Sequence, residues 1–209
     1  MNPRQLVTTA AEAALIALSV VVAIGLERLF VDTSFLAEVS VLVVGSHLVA
    51  IICRRAGLGM IATTLVSLAG LVLLTTALLY GDTASAFVPT SETLEVFRAD
   101  LSAAWDIYAQ ESAPVEVAPG LVAASGILLW WLAFLADWAA FRLRSPLEAV
   151  APATAVFVFT ALLGVARHQI AHGALFAAGV IGVLLTMRAE RQVREEVWVA
   201  SGTARGVGA

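Results

Sequence analysis

Three ionisable residues, Glu12, His47 and Asp137, interrupt long apolar stretches of this chain. In a membrane such side chains relay protons or bind ions, or else they pair with neighbouring helices, because an isolated charge there is costly. They therefore permit two functions: polar sites of a small transporter or channel, or structural contacts inside a helix bundle. For Glu12, which lies near Thr8 and Thr9, we expect interhelical hydrogen bonding. For His47 we expect a neutral core imidazole that donates a hydrogen bond to another helix.

Asp137 lies about a turn before two arginines, Arg142 and Arg144. An unpaired carboxylate deep in lipid costs about 2.5–3.5 kcal/mol on insertion scales, so Asp137 should have a cationic partner. The sequence leaves the partner open between Arg142, Arg144, and the pair Arg54 and Arg55 from another helix. We expect a structural ion pair rather than a proton relay or a transport site.

The segment Ser145-Pro146-Leu147-Glu148 predicts a helix start with a capping box. A serine at the N-cap accepts a hydrogen bond from the backbone, and a proline at the first helical position loses none. A glutamate three residues after the cap can in turn accept from the N–H of the cap residue. We therefore assign structural roles to Ser145 and Glu148.

The remaining side chains that could take part in catalysis or metal binding have no recognisable partners in the sequence. The single cysteine, Cys53, excludes an intrachain disulfide, and no histidine is placed to act as its base, so we expect a small buried hydrophobe. His168 and His172 have the spacing of a metal-binding pair, but the sequence marks no third or fourth ligand. The sequence thus predicts no catalytic, cofactor-binding or metal-binding residue.

Six apolar runs contain these residues. Hydrophobic residues make up 60% of the chain, charged residues 13%, and the mean hydropathy is +0.93. About 20 apolar residues in a helix span a hydrocarbon core of about 30 Å. The sequence therefore predicts an all-α, polytopic membrane bundle in residues 1–187, with spans at 6–26, 35–53, 58–80, 121–141, 147–164 and 170–187.

Arginine predicts the orientation of the bundle. The chain has twelve arginines and no lysine, a composition typical of GC-rich bacterial genomes. With six crossings, nine arginines fall on one side and three on the other, so the positive-inside rule predicts a plasma-membrane protein with both ends of this chain cytoplasmic. The nine are Arg4, Arg54, Arg55, Arg142, Arg144, Arg188, Arg191, Arg194 and Arg205; the three are Arg28, Arg98 and Arg167.

The loop 81–120 should face outward and contain an amphipathic helix at about 91–112. Its apolar residues recur at helical spacing and line one face. Such a helix can lie at the outer membrane interface, pack beneath an extracellular domain, or pack on neighbouring spans. The residues of this face are Leu94, Phe97, Leu101, Trp105 and Tyr108.

A resemblance to a known family rests on three segments, FLADWAAFRLRSPLEAVAPA, RLFVDTSFLAEV and HLVAIICRRAGLG. They resemble the N-terminal membrane domain of TgpA-type bacterial transglutaminase-like proteins, actinobacterial branch, over nearly the whole chain. The resemblance implies an external transglutaminase-like domain with a Cys-His-Asp triad, followed by a late C-terminal span. It also implies a MoxR-type ATPase and associated membrane proteins as partners, besides the lipid bilayer and the C-terminal domain of the same protein.

The resemblance carries no catalytic residue into this chain, because the external domain does not fall within these 209 residues and Cys53 lies at the cytoplasmic side. It implies a non-catalytic membrane anchor or scaffold for the enzyme domain. The alternative is a small transporter or channel that uses Glu12, His47 and Asp137.

Residues 188–209 predict a cytoplasmic helical extension. Pairs at i, i+4, Glu190–Arg194 and Arg191–Glu195, favour the helix, and Ser201-Gly202 should break it. A cytoplasmic end after six crossings cannot lead directly to an external domain. We therefore expect a seventh span beyond this segment, and a chain that continues past Ala209.

Overall fold

The computed structural model describes the backbone of residues 3–205 and the side chains of residues 5–193. This part of the chain is all α-helical, as the sequence predicts. The helices are α1 (Pro3–Gly25), α2 (Leu36–Arg55), α3 (Met60–Leu79), α4 (Ser91–Gln110), α5 (Pro119–Trp138), α6 (Pro146–Leu163) and α7 (Gln169–Arg205). Short 3₁₀ helices cover Leu26–Arg28 and Gly81–Thr83, and a π-helical turn covers Ala139–Leu143.

Six of these helices, all except α4, are long and apolar enough to cross a membrane, and the chain is a multi-pass membrane protein. The predicted amphipathic helix at 91–112 corresponds to α4. Its N-cap is Thr90, whose hydroxyl accepts from the N–H of Thr93, while the Thr93 hydroxyl accepts from the N–H of Thr90. The two threonines thus satisfy one another's backbone donors and fix where the helix begins.

Helix α3 shows most directly that lipid is the solvent of this fold. It buries hydroxyl-bearing residues, among them Thr63 and Ser67, and exposes Ile61, Leu65 and Leu68. A helix on a water-soluble protein turns its apolar face inward. The reversed arrangement is stable only where the surroundings are as apolar as leucine itself.

Helix α5 lies at the centre of the bundle and packs on α1, α2, α3, α4 and α6, while α1 packs along α7. Close approach of α5 to α2 depends on Gly126, where a Cβ would collide with the Leu42 side chain. The core between these helices is formed by aliphatic and small residues such as Leu18, Val43 and Ala133. The bundle is therefore held by close packing of small and branched side chains.

The C-terminal extension differs from the prediction at one point. Helix α7 runs without a break from Gln169 to Arg205, so the predicted break at Ser201-Gly202 is wrong. A glycine inside a helix costs only about 1 kcal/mol relative to alanine, which does not oblige a helix to end. The pairs Glu190–Arg194 and Arg191–Glu195 each involve a side chain outside the described residues. Residues 206–209 also lie outside them.

The bundle has two ends of different composition. The arginine-rich end is where α2 ends and α5 turns into α6, with Arg54, Arg55, Arg142 and Arg144. The long-loop end is opposite, where the segment between α3 and α5 carries α4.

Candidate functional site

Glu12 forms the best-paired ionic contact of the bundle, at the arginine-rich end. Its Oε1 accepts from Nη2 of Arg54 at 2.8 Å and its Oε2 accepts from Nη2 of Arg55 at 2.7 Å. The side chain is buried, so both carboxylate oxygens are satisfied by α2. The expected interhelical contact exists, but it is made by arginines, while nearby Thr8 donates to Glu190 on α7 at 3.4 Å.

Asp137 contacts the same arginine from a third helix. Its Oδ1 lies 3.5 Å from Nη2 of Arg54, which is the partner selected among those that the sequence left open. Arg142 instead donates to the backbone oxygen of Leu58 at 2.8 Å and to the Thr63 hydroxyl at 3.0 Å. It therefore fixes the α2–α3 connection to the end of α5.

Arg54 is the centre of this cluster. Its guanidinium carbon lies 3.8 Å from the centroid of the Phe141 ring, a cation–π contact, and its Nε is buried without a hydrogen-bond partner among the described residues. Glu12, Arg54, Arg55 and Asp137 together carry no net formal charge. One arginine thus ties α1, α2 and α5 together, and its removal would leave two buried carboxylates without their shared cation.

His47 makes a second contact between α1 and α2, deeper in the membrane region. Its Nε2 lies 2.9 Å from the Ser19 hydroxyl, and the residue is buried. Ser19 follows Glu12 by seven residues and Arg54 follows His47 by seven, so each pair shares a helix face. The Glu12–Arg54 and Ser19–His47 contacts therefore belong to one interface between α1 and α2. His47 is a buried histidine that contacts another helix, as expected.

A third polar contact, around Trp130, was not predicted from the sequence. Its indole N–H donates to the Ser67 hydroxyl at 2.9 Å, and its backbone oxygen accepts from the Ser46 hydroxyl at 2.7 Å. The ring fits between Gly45 and Gly70, which both lack a side chain at that point. The sequence feature that could have indicated this contact is a set of small residues, Gly45-Ser46 on α2 and Ser67 and Gly70 on α3, which leave room for a large ring.

A small cavity lies between α1, α2, α5 and α6, and its lining is almost wholly apolar. Small apolar voids of this kind stay dry. Glu12, His47 and Asp137 do not line it, and Ser19 is its one polar side chain. Representative lining residues are Leu15, Ser19, Val43, Ala133, Ala153 and Val156.

The predicted capping box at Ser145 is wrong. Ser145 is the N-cap of α6 and Pro146 is its first residue, but the serine side chain makes no capping hydrogen bond. The reason lies just upstream, where the π-helical turn ends with Arg144 at φ 59° and the N–H of Ser145 donates to the Ala139 carbonyl at 3.0 Å. Because that N–H is already bonded, Glu148 has no donor to return to, and its side chain is exposed.

Arg144 itself has a backbone role. Its left-handed conformation closes the π-helical turn, and its carbonyl accepts a hydrogen bond from the guanidinium of Arg191 on α7. This contact joins α7 to the connection between α5 and α6. Cys53, on α2, is free and buried, as expected for a small core hydrophobe.

At the long-loop end, His168 and His172 both approach Glu27. His168 Nδ1 lies 2.9 Å from Glu27 Oε1, and His172 Nε2 lies 3.7 Å from the same oxygen. His168, with φ 48°, immediately precedes α7 and His172 lies in its first turn, and their ring centroids are 6.3 Å apart. Among the described residues, no group of three or more His, Cys, Asp or Glu side chains could hold a metal ion.

Comparisons with protein-family models, curated proteins and solved structures found no match to this chain.

Proposed function

We propose that this chain is a membrane anchor that positions a transglutaminase-like domain outside the cytoplasm, with that domain encoded beyond Ala209. The family is suggested by the Asp-Trp…Phe-Arg-Leu-Arg-x-Pro segment around Asp137. The anchoring role is supported by the packing of the helices in the bundle. An anchor needs helices that hold fixed positions relative to one another, so that a domain attached to them keeps its orientation.

The observation that carries the proposal is the sharing of Arg54 by Glu12 and Asp137. These carboxylates are held in direct ion pairs, whereas a transport site needs groups that exchange partners with a passing ion. Likewise His47 is engaged by Ser19, and the nearby cavity is apolar. These contacts of the polar side chains thus favour a role in holding the helices together over a role in transport.

The orientation belongs to the same proposal. With the arginine-rich end on the cytoplasmic side of a bacterial plasma membrane, the long-loop end and α4 face outward. A MoxR-type ATPase, the partner that the family resemblance implies, would then meet the arginine-rich end, where Arg55 and Arg144 are exposed. The enzyme domain would lie on the side of α4.

The proposal is tested first by translating the gene beyond Ala209. A further apolar span, followed by a domain with cysteine, histidine and aspartate, is the expected result. A stop codon directly after Ala209 would contradict it.

The second test separates anchoring from transport in the full protein. We expect Glu12→Gln, His47→Ala and Asp137→Asn to leave enzyme output per folded molecule unchanged while lowering the folded yield. Glu148→Gln is the matched control, an exposed carboxylate at the same end outside the cluster. A proton or ion flux in proteoliposomes that Asp137→Asn abolishes and Glu148→Gln leaves intact would support the transporter instead.

A further inference from the structure

Helix α4 presents an apolar face that the described bundle does not cover. Leu94, Leu101, Trp105 and Tyr108 follow one another at steps of 7, 4 and 3 and so lie on one side of the helix. Trp105 is 68% exposed and Tyr108 60%, and their ring centroids are 5.8 Å apart. Two large aromatic residues and two leucines on one face are more than the scattered apolar exposure of an ordinary surface.

The adjoining side of α4, which includes Phe97 of the predicted apolar face, attaches the helix to the bundle. Thr93 and Ala104 are buried, and a Cβ on Gly120 of α5 would collide with the Asp100 carbonyl, so the two helix backbones are in direct contact. Phe97 packs edge-on against Tyr80, with ring centroids 5.9 Å apart. These contacts hold α4 against the bundle, and the face that carries Trp105 is not needed for them.

The contact with Tyr80 also fixes the depth of α4. Tyr80 directly follows Leu79, the last residue of the membrane-crossing helix α3. Phe97 therefore lies where α3 leaves the hydrocarbon, and Asp100 lies against Gly120, the second residue of the membrane-crossing helix α5, so this part of α4 is at the level of the lipid headgroups. Tryptophan and tyrosine are enriched at that level because their rings have an apolar body and a polar edge.

The turn before α4 adds a further apolar side chain at this level. Ser85 and Val88 exchange both backbone hydrogen bonds, and the two residues between them, Ala86 and Phe87, have φ values of 50° and 67°. Such a turn usually has asparagine or glycine at these positions, because other residues are strained there. Phe87 is nevertheless present and is 68% exposed.

We propose that the face of α4 formed by Leu94, Leu101, Trp105 and Tyr108, together with Phe87, inserts into the headgroup–acyl boundary of the leaflet at the long-loop end. The occupant of this face is phospholipid. Glu92, Glu95 and Asp106 lie on other sides of the helix and are exposed, so the carboxylates remain in water while the apolar face enters lipid. This contact with lipid needs no enzyme domain.

The test uses the chain reconstituted at one copy per phosphatidylcholine–phosphatidylglycerol nanodisc. In a Cys53→Ala background, Leu101→Cys is labelled with an environment-sensitive fluorophore. The matched control is Ala103→Cys, which is also exposed but lies about 200° further round the helix. Both sites avoid Trp130 and the ion-pair cluster, and Leu94→Cys gives an independent second reading on the apolar face.

We expect the fluorescence emission of the label at 101 to be blue-shifted relative to that of the label at 103. Lipids with a nitroxide near the headgroup should quench it, and iodide should quench it several-fold less than it quenches the label at 103. Equal iodide quenching at 94, 101 and 103 without lipid quenching would overturn the proposal, because the face would then lie in water. Shielding from iodide without lipid quenching would also overturn it, since the face would then be covered by protein.

Discussion

The two ends of this bundle are closed by different kinds of contact. At the arginine-rich end a single side chain, Arg54, joins three helices through Glu12 and Asp137. At the long-loop end the connections are joined by several contacts, among them the backbone hydrogen bonds Val31 N–H to Val115 O and Val165 N–H to Arg28 O, both at 2.9 Å. The first end should therefore depend on one side chain, whereas at the second end the loss of any one side chain should cost less.

The largest effect should come from Arg54→Met. It leaves Glu12 with one exposed arginine and Asp137 with no direct cation, so we expect a loss of about 2–4 kcal/mol, reduced from the fully buried case because Arg54 is partly exposed. Unfolding by a denaturing detergent, followed by circular dichroism, measures the loss. Arg55→Met is the control and should cost much less, since Arg55 is 64% exposed; equal losses would contradict the central role of Arg54.

Backbone spacing at the long-loop end is tested by Gly120→Ala. The added Cβ collides with the Asp100 carbonyl, so α4 must shift away from α5, at a cost of about 1–3 kcal/mol. The same unfolding assay serves. The matched control is Gly173→Ala on α7, where a Cβ would meet nothing within 4 Å, and there we expect no loss, or a gain of about 0.5–1 kcal/mol from helix propensity. If both variants behave alike, the close contact of α4 with α5 is not important for stability.

Arg28→Met tests a side chain at the same end. Arg28 is buried, and its Nε donates to the Val165 carbonyl at 2.9 Å. The variant loses that bond but leaves no carboxylate without a cation, and the Val165 N–H still bonds to residue 28 through the backbone. We expect a loss of about 1–2 kcal/mol, below that of Arg54→Met. The reverse order would remove the contrast between the two ends.

The smallest effect concerns alkaline pH and Tyr80. Burial, and then the negative charge of Asp100, raise the pKa of Tyr80 to about 12. Because the unfolded phenol releases its proton near pH 10, the folded state holds more protons between these values, and stability falls as pH rises through them. Tyr80→Phe should flatten this part of the profile. At neutral pH the substitution should change the stability little, because the Tyr80 hydroxyl makes at most a poorly aligned hydrogen bond, to Asp100.

The helices could be predicted from sequence because their signal is local: twenty apolar residues must span the membrane wherever their neighbours lie. The partner of Asp137 could be narrowed to a few arginines but not chosen, since the choice depends on how α2 packs against α5. The capping box failed for a related reason. The sequence pattern was complete, but the π-helical turn before it had already bonded the Ser145 N–H.

Trp130 shows what the apolar pattern hides. Within an apolar run an indole gives no sign of its partner, and its contacts come from Ser46 and Ser67 on two other helices. Gly179 on α7 likewise gives no sign of its partner in the sequence, and in the bundle it meets Leu18 of α1.

The most direct test of the account compares the stability of Arg54→Met with that of the triple variant Glu12→Gln/Arg54→Met/Asp137→Asn. If these residues are structural partners in a dry bundle, neutralising both carboxylates removes the buried negative charges that Arg54→Met leaves without their shared cation. The triple variant should then recover most of the lost stability in the detergent-unfolding assay. A triple variant less stable than Arg54→Met would contradict the account, because each carboxylate would then have a favourable role independent of Arg54.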